Sequence, residues 1–96
     1  MRKIDIGDVV EVADGLGWPE GPTMLPDGRI LIVECYRSQI TAIDREGRAS
    51  RYAYTAGAPN SCVLGTDGVY VCQNGGTVGP WRAEEMAKPS IQRIVE

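Results

Sequence analysis

The chain has 96 residues, enough for one small domain or part of a larger one and too few for two independent domains. Hydrophobic residues make up 43% and charged residues 24%, a globular balance, while 10 basic against 13 acidic side chains give a net charge of -3 and exclude the basic footprint of a nucleic-acid binder. Histidine is absent, so Ser-His-Asp and Cys-His pairs and His-ligated zinc are excluded, and proton transfer would fall to carboxylates, Tyr, Lys or a metal-bound water.

At the N-terminus, Asp5 and Asp8 interrupt the chain early, and no apolar run is long enough for a signal peptide or a membrane span. This predicts a cytoplasmic protein with no membrane partner. Short β-branched or apolar runs between Gly and Pro turn signals then predict eight strands, over 8–12, 23–25, 29–33, 39–44, 51–54, 62–64, 69–72 and 91–95. A short helical pattern stands over 80–88. Cys35, Cys62 and Cys72 are odd in number and lack CxxC spacing, which favours buried small hydrophobes in a reducing compartment over a disulfide framework or a catalytic thiol. The fold class expected is all-β.

The chain also resembles itself. Asp27-Gly28 and Asp67-Gly68 lie 40 residues apart, and the same shift lays Glu20 on Asn60, Met24 on Leu64, Leu31 on Val71 and Glu34 on Asn74. Further on, 39–43 matches 90–94 only at a shift of 51, so the second unit carries an 11-residue insertion within 75–89. A period near 40 with about four strands per unit is the pattern of a β-propeller blade. The units are a first blade over 18–55 and a second over 58–96, with 8–12 as a closing strand. In a four-stranded meander the start of the first strand and the end of the second share one edge. Glu20, Glu34, Asn60, Asn74 and the insertion should therefore gather on one face.

The sharpest local feature is Gly17-Trp18-Pro19-Glu20-Gly21-Pro22. A carboxylate entering an apolar innermost strand costs free energy unless it is paired, hydrogen-bonded or metal-bound; the bland alternative is an exposed loop carboxylate. Asn60, after Pro59, takes the equivalent place, and carboxylate and amide oxygens suit a hard cation such as calcium. The bland alternative there is an Asn capping a turn.

Trp18-Pro19-Glu20-Gly21-Pro22, followed by Asp27-Gly28-Arg29-Ile30-Leu31-Ile32-Val33-Glu34, resembles the opening blade of the gluconolactonase and senescence-marker-protein (LRE-like region) family. The segment 58–71, with Pro59-Asn60 before an apolar strand and Asp67-Gly68, is similar to that family's second blade, and Asn74-Gly75-Gly76 and 89–93 also sit where members carry similar residues. The resemblance implies the N-terminal two blades of a six-bladed propeller, a metal-dependent hydrolase that opens a lactone or related ester. It implies Glu20 as a ligand of a divalent metal, calcium first with zinc or manganese as alternatives. It further implies Asn60, and behind it Glu34 and Asn74, as substrate-pocket residues, while Trp81 on the insertion could cap the pocket or anchor its loop. The substrate would be a small-molecule lactone or sugar acid. The family's later metal ligands and its catalytic base have no counterpart in this length.

Six blades need roughly 240 residues at about 40 each. Two readings follow: an N-terminal piece of a longer propeller, or three chains joined head to tail as a homotrimer that closes a six-bladed ring. The alternative to an enzyme is a non-catalytic propeller fragment or self-assembling module that binds a partner through exposed blade edges. A strictosidine-synthase-like propeller fits the Glu20-Gly21-Pro22 opening less well.

Overall fold

The structure is a computed structural model and describes residues 2–96. Nine strands form: β1 (Pro19–Met24), β2 (Ile30–Glu34), β3 (Gln39–Ile43), β4 (Ala49–Tyr54), β5 (Pro59–Leu64), β6 (Val69–Gln73), β7 (Thr77–Val78), β8 (Trp81–Arg82) and β9 (Ser90–Ile94). The first sheet is an antiparallel meander, β1-β2-β3-β4; the second has three strands, β5-β6-β9; β7 and β8 make a separate ribbon between β6 and β9. The chain is all-β, and among the described residues no helix is long and apolar enough to cross a membrane.

Two expected elements do not form. Residues 80–88 make no helix, because Val78 pairs with Trp81 across a tight turn and the backbone N–H groups of Ala83 and Ala87 donate to Gly76 and Gly75 carbonyls at 2.9 and 2.8 Å. A helix would need those donors for its own carbonyls. Residues 8–12 are no strand in this chain: Ile6–Asp8 is a 3-10 turn capped by Asp5, and the following residues join no ladder. They run instead as an arm, with the Val12 carbonyl against Gly47 in the β3–β4 turn. Gly47 has φ +81°, and a Cβ there would stand 2.5 Å from that oxygen.

The pairing registers correct the internal alignment. Pro19 pairs with Glu34 and Met24 with Ile30 in the first sheet, while Pro59 pairs with Gln73 and Leu64 with Val69 in the second. The first strands thus correspond at a shift of 40, but the second strands correspond at 39, since the second hairpin turn is one residue shorter. Glu34 is equivalent to Gln73, not Asn74, and Leu31 to Tyr70, not Val71. With a side-chain period of two, that single residue exchanges the faces of the strand.

The consequence appears in the packing. Leu31, Val33, Ile40 and Ala42 on one face of the first sheet meet Cys62, Val69 and Val71 from the second, with Leu25 at the margin. By register, Val69 and Val71 are equivalent to Ile30 and Ile32, which lie on the opposite face of the first sheet. Unlike faces therefore meet. The two sheets stack front to back, as repeats in an array do, and not as mirror halves of a sandwich.

Strand β5 lies on β1 and β2. The closest approach is at Gly21 (φ +56°), where a Cβ would come within 2.8 Å of Ser61 Cα. Only glycine combines this left-handed backbone with the close approach. The Thr23 hydroxyl accepts from Leu64 N–H at 3.3 Å, which pins the two leading strands together.

Candidate functional site

The meander sets where the candidate residues fall. Strand β1 begins where β2 ends, and β5 begins where β6 ends, so Glu20, Glu34, Asn60, Asn74 and the loop that holds Trp81 all lie at one end of the two sheets. The hairpin turns at Asp27-Gly28 and Asp67-Gly68 lie at the other. The sequence expectation of a shared face holds as a matter of topology.

Glu20 and Asn60 each lie next to a slip in the ladder of their strand, though not at the same position: Glu20 keeps Val33 as partner and the slip follows it. The β1–β2 ladder slips between Glu20 and Thr23, and the β5–β6 ladder slips between Pro59 and Ser61, which leaves Asn60 without a ladder partner. Such bulges re-aim side chains and occur beside sites. Glu20 is half-buried, near enough to Cys35 that its charge adds to burial in raising that thiol's pKa. Asn60 Oδ1 is shut off from solvent and has no hydrogen-bond partner, a cost of about 1–3 kcal/mol that a ligand or water on that oxygen would offset.

Glu34 has a different environment. It is 1% exposed and holds three hydrogen bonds and an ion pair. Oε1 accepts Gly17 N–H at 2.8 Å and lies 2.9 Å from Arg37 Nη1 as an ion pair; Oε2 accepts Gln39 Nε2 at 3.1 Å and the Thr41 hydroxyl. Arg37 also donates to the Gly15 carbonyl at 2.9 Å. Buried, paired and hydrogen-bonded at both oxygens, this carboxylate ties the loop before β1 to the sheet and is poorly placed to take a ligand. The equivalent Gln73 has the same task with an uncharged group. Its Oε1 accepts Ala58 and Gly75 N–H at 2.8 and 2.9 Å, and its Nε2 donates to the Ala56 carbonyl at 3.0 Å. Sequence reading missed Gln73 because the 40-residue shift pointed one position beyond it. Asn74 is exposed, anchored through its backbone N–H to the Ala58 carbonyl at 3.0 Å.

The Trp81 ring packs against Tyr36 in a tilted arrangement with centroids 5.1 Å apart, and Tyr36 lies 5.6 Å from Trp18. This aromatic row carries the insertion back across the first sheet, helped by Gly57 N–H to the Glu85 carbonyl at 2.8 Å and the Tyr54 hydroxyl to Glu85 Oε1 at 2.9 Å. Trp81 thus anchors its loop. Cys35 and Cys62 are buried, and burial pushes the Cys62 thiol up to about 11, so neither offers a thiolate at neutral pH. Cys72 departs from the expectation and is exposed.

The donor set bears on a metal directly. Glu20 and the unpartnered Asn60 oxygen are hard oxygen donors of the kind calcium takes, but calcium needs about 6–8 of them. Among the described residues no group of three or more acidic or thiol side chains gathers to hold an ion. The chain fits a divalent cation in kind of ligand and falls short in number. Compared with known proteins, the chain matches no family model and no curated protein.

Proposed function

We propose that the chain forms two successive blades of a six-bladed β-propeller of the gluconolactonase type, and that its lineage chemistry is metal-dependent opening of a lactone or related ester. The observation that carries this reading is the front-to-back stacking of two equivalent sheets, with their leading strands pinned together at Gly21 and Ser61. Repetition of that step about an axis makes a ring of blades with the leading strands innermost. Glu20 and Asn60 then stand at the same end of adjacent inner strands, facing the axis region.

A divalent metal bound there would polarise the substrate carbonyl and lower the pKa of a water. Within this chain, Glu20 supplies charge and an oxygen ligand, and the Asn60 carbonyl oxygen supplies a second ligand or orients substrate. Glu34 holds the Gly15–Gly17 loop, and through it the entry to β1, in a fixed position. Asn74 and Trp81 lie on the rim. The remaining ligands and the catalytic base come from other blades, on a longer chain or on neighbouring copies.

Calcium titration by calorimetry tests the reading. Where neighbouring copies complete the ligand set, the chain should bind calcium at concentrations at which it associates, and Glu20→Gln should abolish that binding while leaving the β circular-dichroism spectrum intact. Equal binding by both forms would remove Glu20 from the metal site. The second reading, a non-catalytic module that associates through its blade faces, is favoured by one observation: Val63 and Ile91 on the outer face of the second sheet are 57% and 67% exposed. Association indifferent to calcium, with no lactone hydrolysis, would decide for it.

A further inference from the structure

The insertion stands outside the β5-β6-β9 ladder and is held to the first sheet at several points. Between it and the outer strands β3 and β4 lies a cleft of about 380 Å³. Arg37, Gln39, Arg51 and Tyr54 line it from the first sheet, Trp81 and Arg82 from the insertion. The charge is lopsided in a chain that is acidic overall. Arg37 is neutralised by buried Glu34, but neither Arg51 nor Arg82 has a carboxylate within ion-pair distance among the described residues. Arg51 uses its Nε on Gln39 Oε1 at 2.9 Å and stands 5.2 Å over the Tyr54 ring; Arg82 uses Nη1 on the carbonyls of Gly79 and Trp81 at 2.9 and 3.1 Å. Both guanidinium groups are thus oriented by neutral partners and retain donors. Glu84 also lines the cleft and Glu85 beside it accepts the Tyr54 hydroxyl, but neither lies within ion-pair distance of Arg51 or Arg82.

We propose that this cleft binds a small organic anion, a carboxylate or a phosphate monoester, with Arg51 and Arg82 on the anionic group and the Trp81 and Tyr54 rings against its apolar body. A guanidinium fork matches either anion bidentately, and a preoriented fork loses little freedom on binding. Aromatic walls beside a few convergent polar groups are the ordinary make-up of a small-molecule site. The proposal does not depend on the lactonase reading, since neither arginine has a part in it and only Trp81, at the rim, is common to both.

Titration of the chain with benzoate, phenyl phosphate and neutral benzyl alcohol, read by tryptophan fluorescence, tests it. Saturable quenching by an anion and none by the alcohol is expected, and the tighter of the two anions identifies the headgroup. Arg51→Gln and Arg82→Gln should each weaken binding about tenfold, the loss of roughly one charge-assisted contact. Both side chains are exposed, so both variants should keep the β spectrum. If either unfolds, backbone and arginine Nε chemical shifts of the unaltered chain decide, with perturbation expected at Arg51, Trp81 and Arg82. No saturation, equal binding of the alcohol, unchanged affinity in folded variants, or shifts confined elsewhere would overturn the site.

Discussion

The two sheets carry equivalent faces with opposite fates. On the first sheet Leu31, Val33 and Ile40 are completely buried because the second sheet covers them. The equivalent positions on the second sheet are Tyr70, Cys72 and Ile91; Cys72 and Ile91 are open to solvent, and Val63 lies exposed beside them. The first sheet's other face shows the converse. Ile32 and Ile43 are 6% and 4% exposed, sheltered where Val12 and Leu16 of the N-terminal arm line a groove over them. Among the described residues, one end of the stack has a cap and the other has none. Burial in this protein follows from what the next layer supplies, as expected where each repeat is stabilised by its neighbours.

Paired substitutions at equivalent positions sharpen that comparison most. Ile40→Ala should cost about 2–5 kcal/mol, since it opens a cavity between the sheets, whereas Ile91→Ala should cost within about 0.5 kcal/mol in the isolated chain. Urea denaturation measures both, and equal costs would break the equivalence. Next in size, Gly21→Ala should destabilise by about 2–4 kcal/mol, from the left-handed backbone and the clash with Ser61, and should loosen the sheet-to-sheet contact. The same substitution at Gly15, which also has positive φ but no neighbour within 4 Å, should cost only the backbone part, about 1–2 kcal/mol.

Much of the fold was legible because it is local. Strands over 29–33, 39–44 and 69–72 were readable from β-branched runs between turns, and each forms within a residue or so of its expected place. Asp27-Gly28 and 45–47 marked their turns for the same reason. The failures came from tertiary context. The helical pattern over 80–88 gave way to a ribbon because Tyr36 offers Trp81 a packing partner and Gly75 and Gly76 offer carbonyls to its backbone. The apolar 8–12 segment was read as a strand, but no sheet edge in this chain takes it. At the candidate site, Glu20 and Asn60 stand out in the sequence by their flanking prolines and glycine. Gln73 was hidden by a one-residue change in turn length, and Arg51 and Arg82, 31 positions apart, meet only through the fold.

A smaller effect concerns the buried thiol between the sheets. Burial raises Cys62 from near 9 to about 11, so the folded state holds that proton more tightly than the unfolded one. Its contribution is intact below pH 9 and declines as pH rises toward 11, a loss of about 1–2 kcal/mol measurable by denaturation at the two pH values. Cys62→Ser should reduce this slope, leaving the part due to Cys35 and the hydrogen-bonded tyrosines. Smallest of all, thiol labelling at pH 8 should modify Cys72 on the uncovered face rapidly and spare Cys35 and Cys62, with no change in stability.

The uncovered face is the centre of the account, and the solution mass of the chain by light scattering, with calcium and with chelator, tests it most directly. The account predicts concentration-dependent association that Ile91→Glu abolishes while the β spectrum persists, with a calcium-dependent trimer if copies close a ring about Glu20. A compact, stable monomer at every concentration, or association untouched by Ile91→Glu, would contradict it.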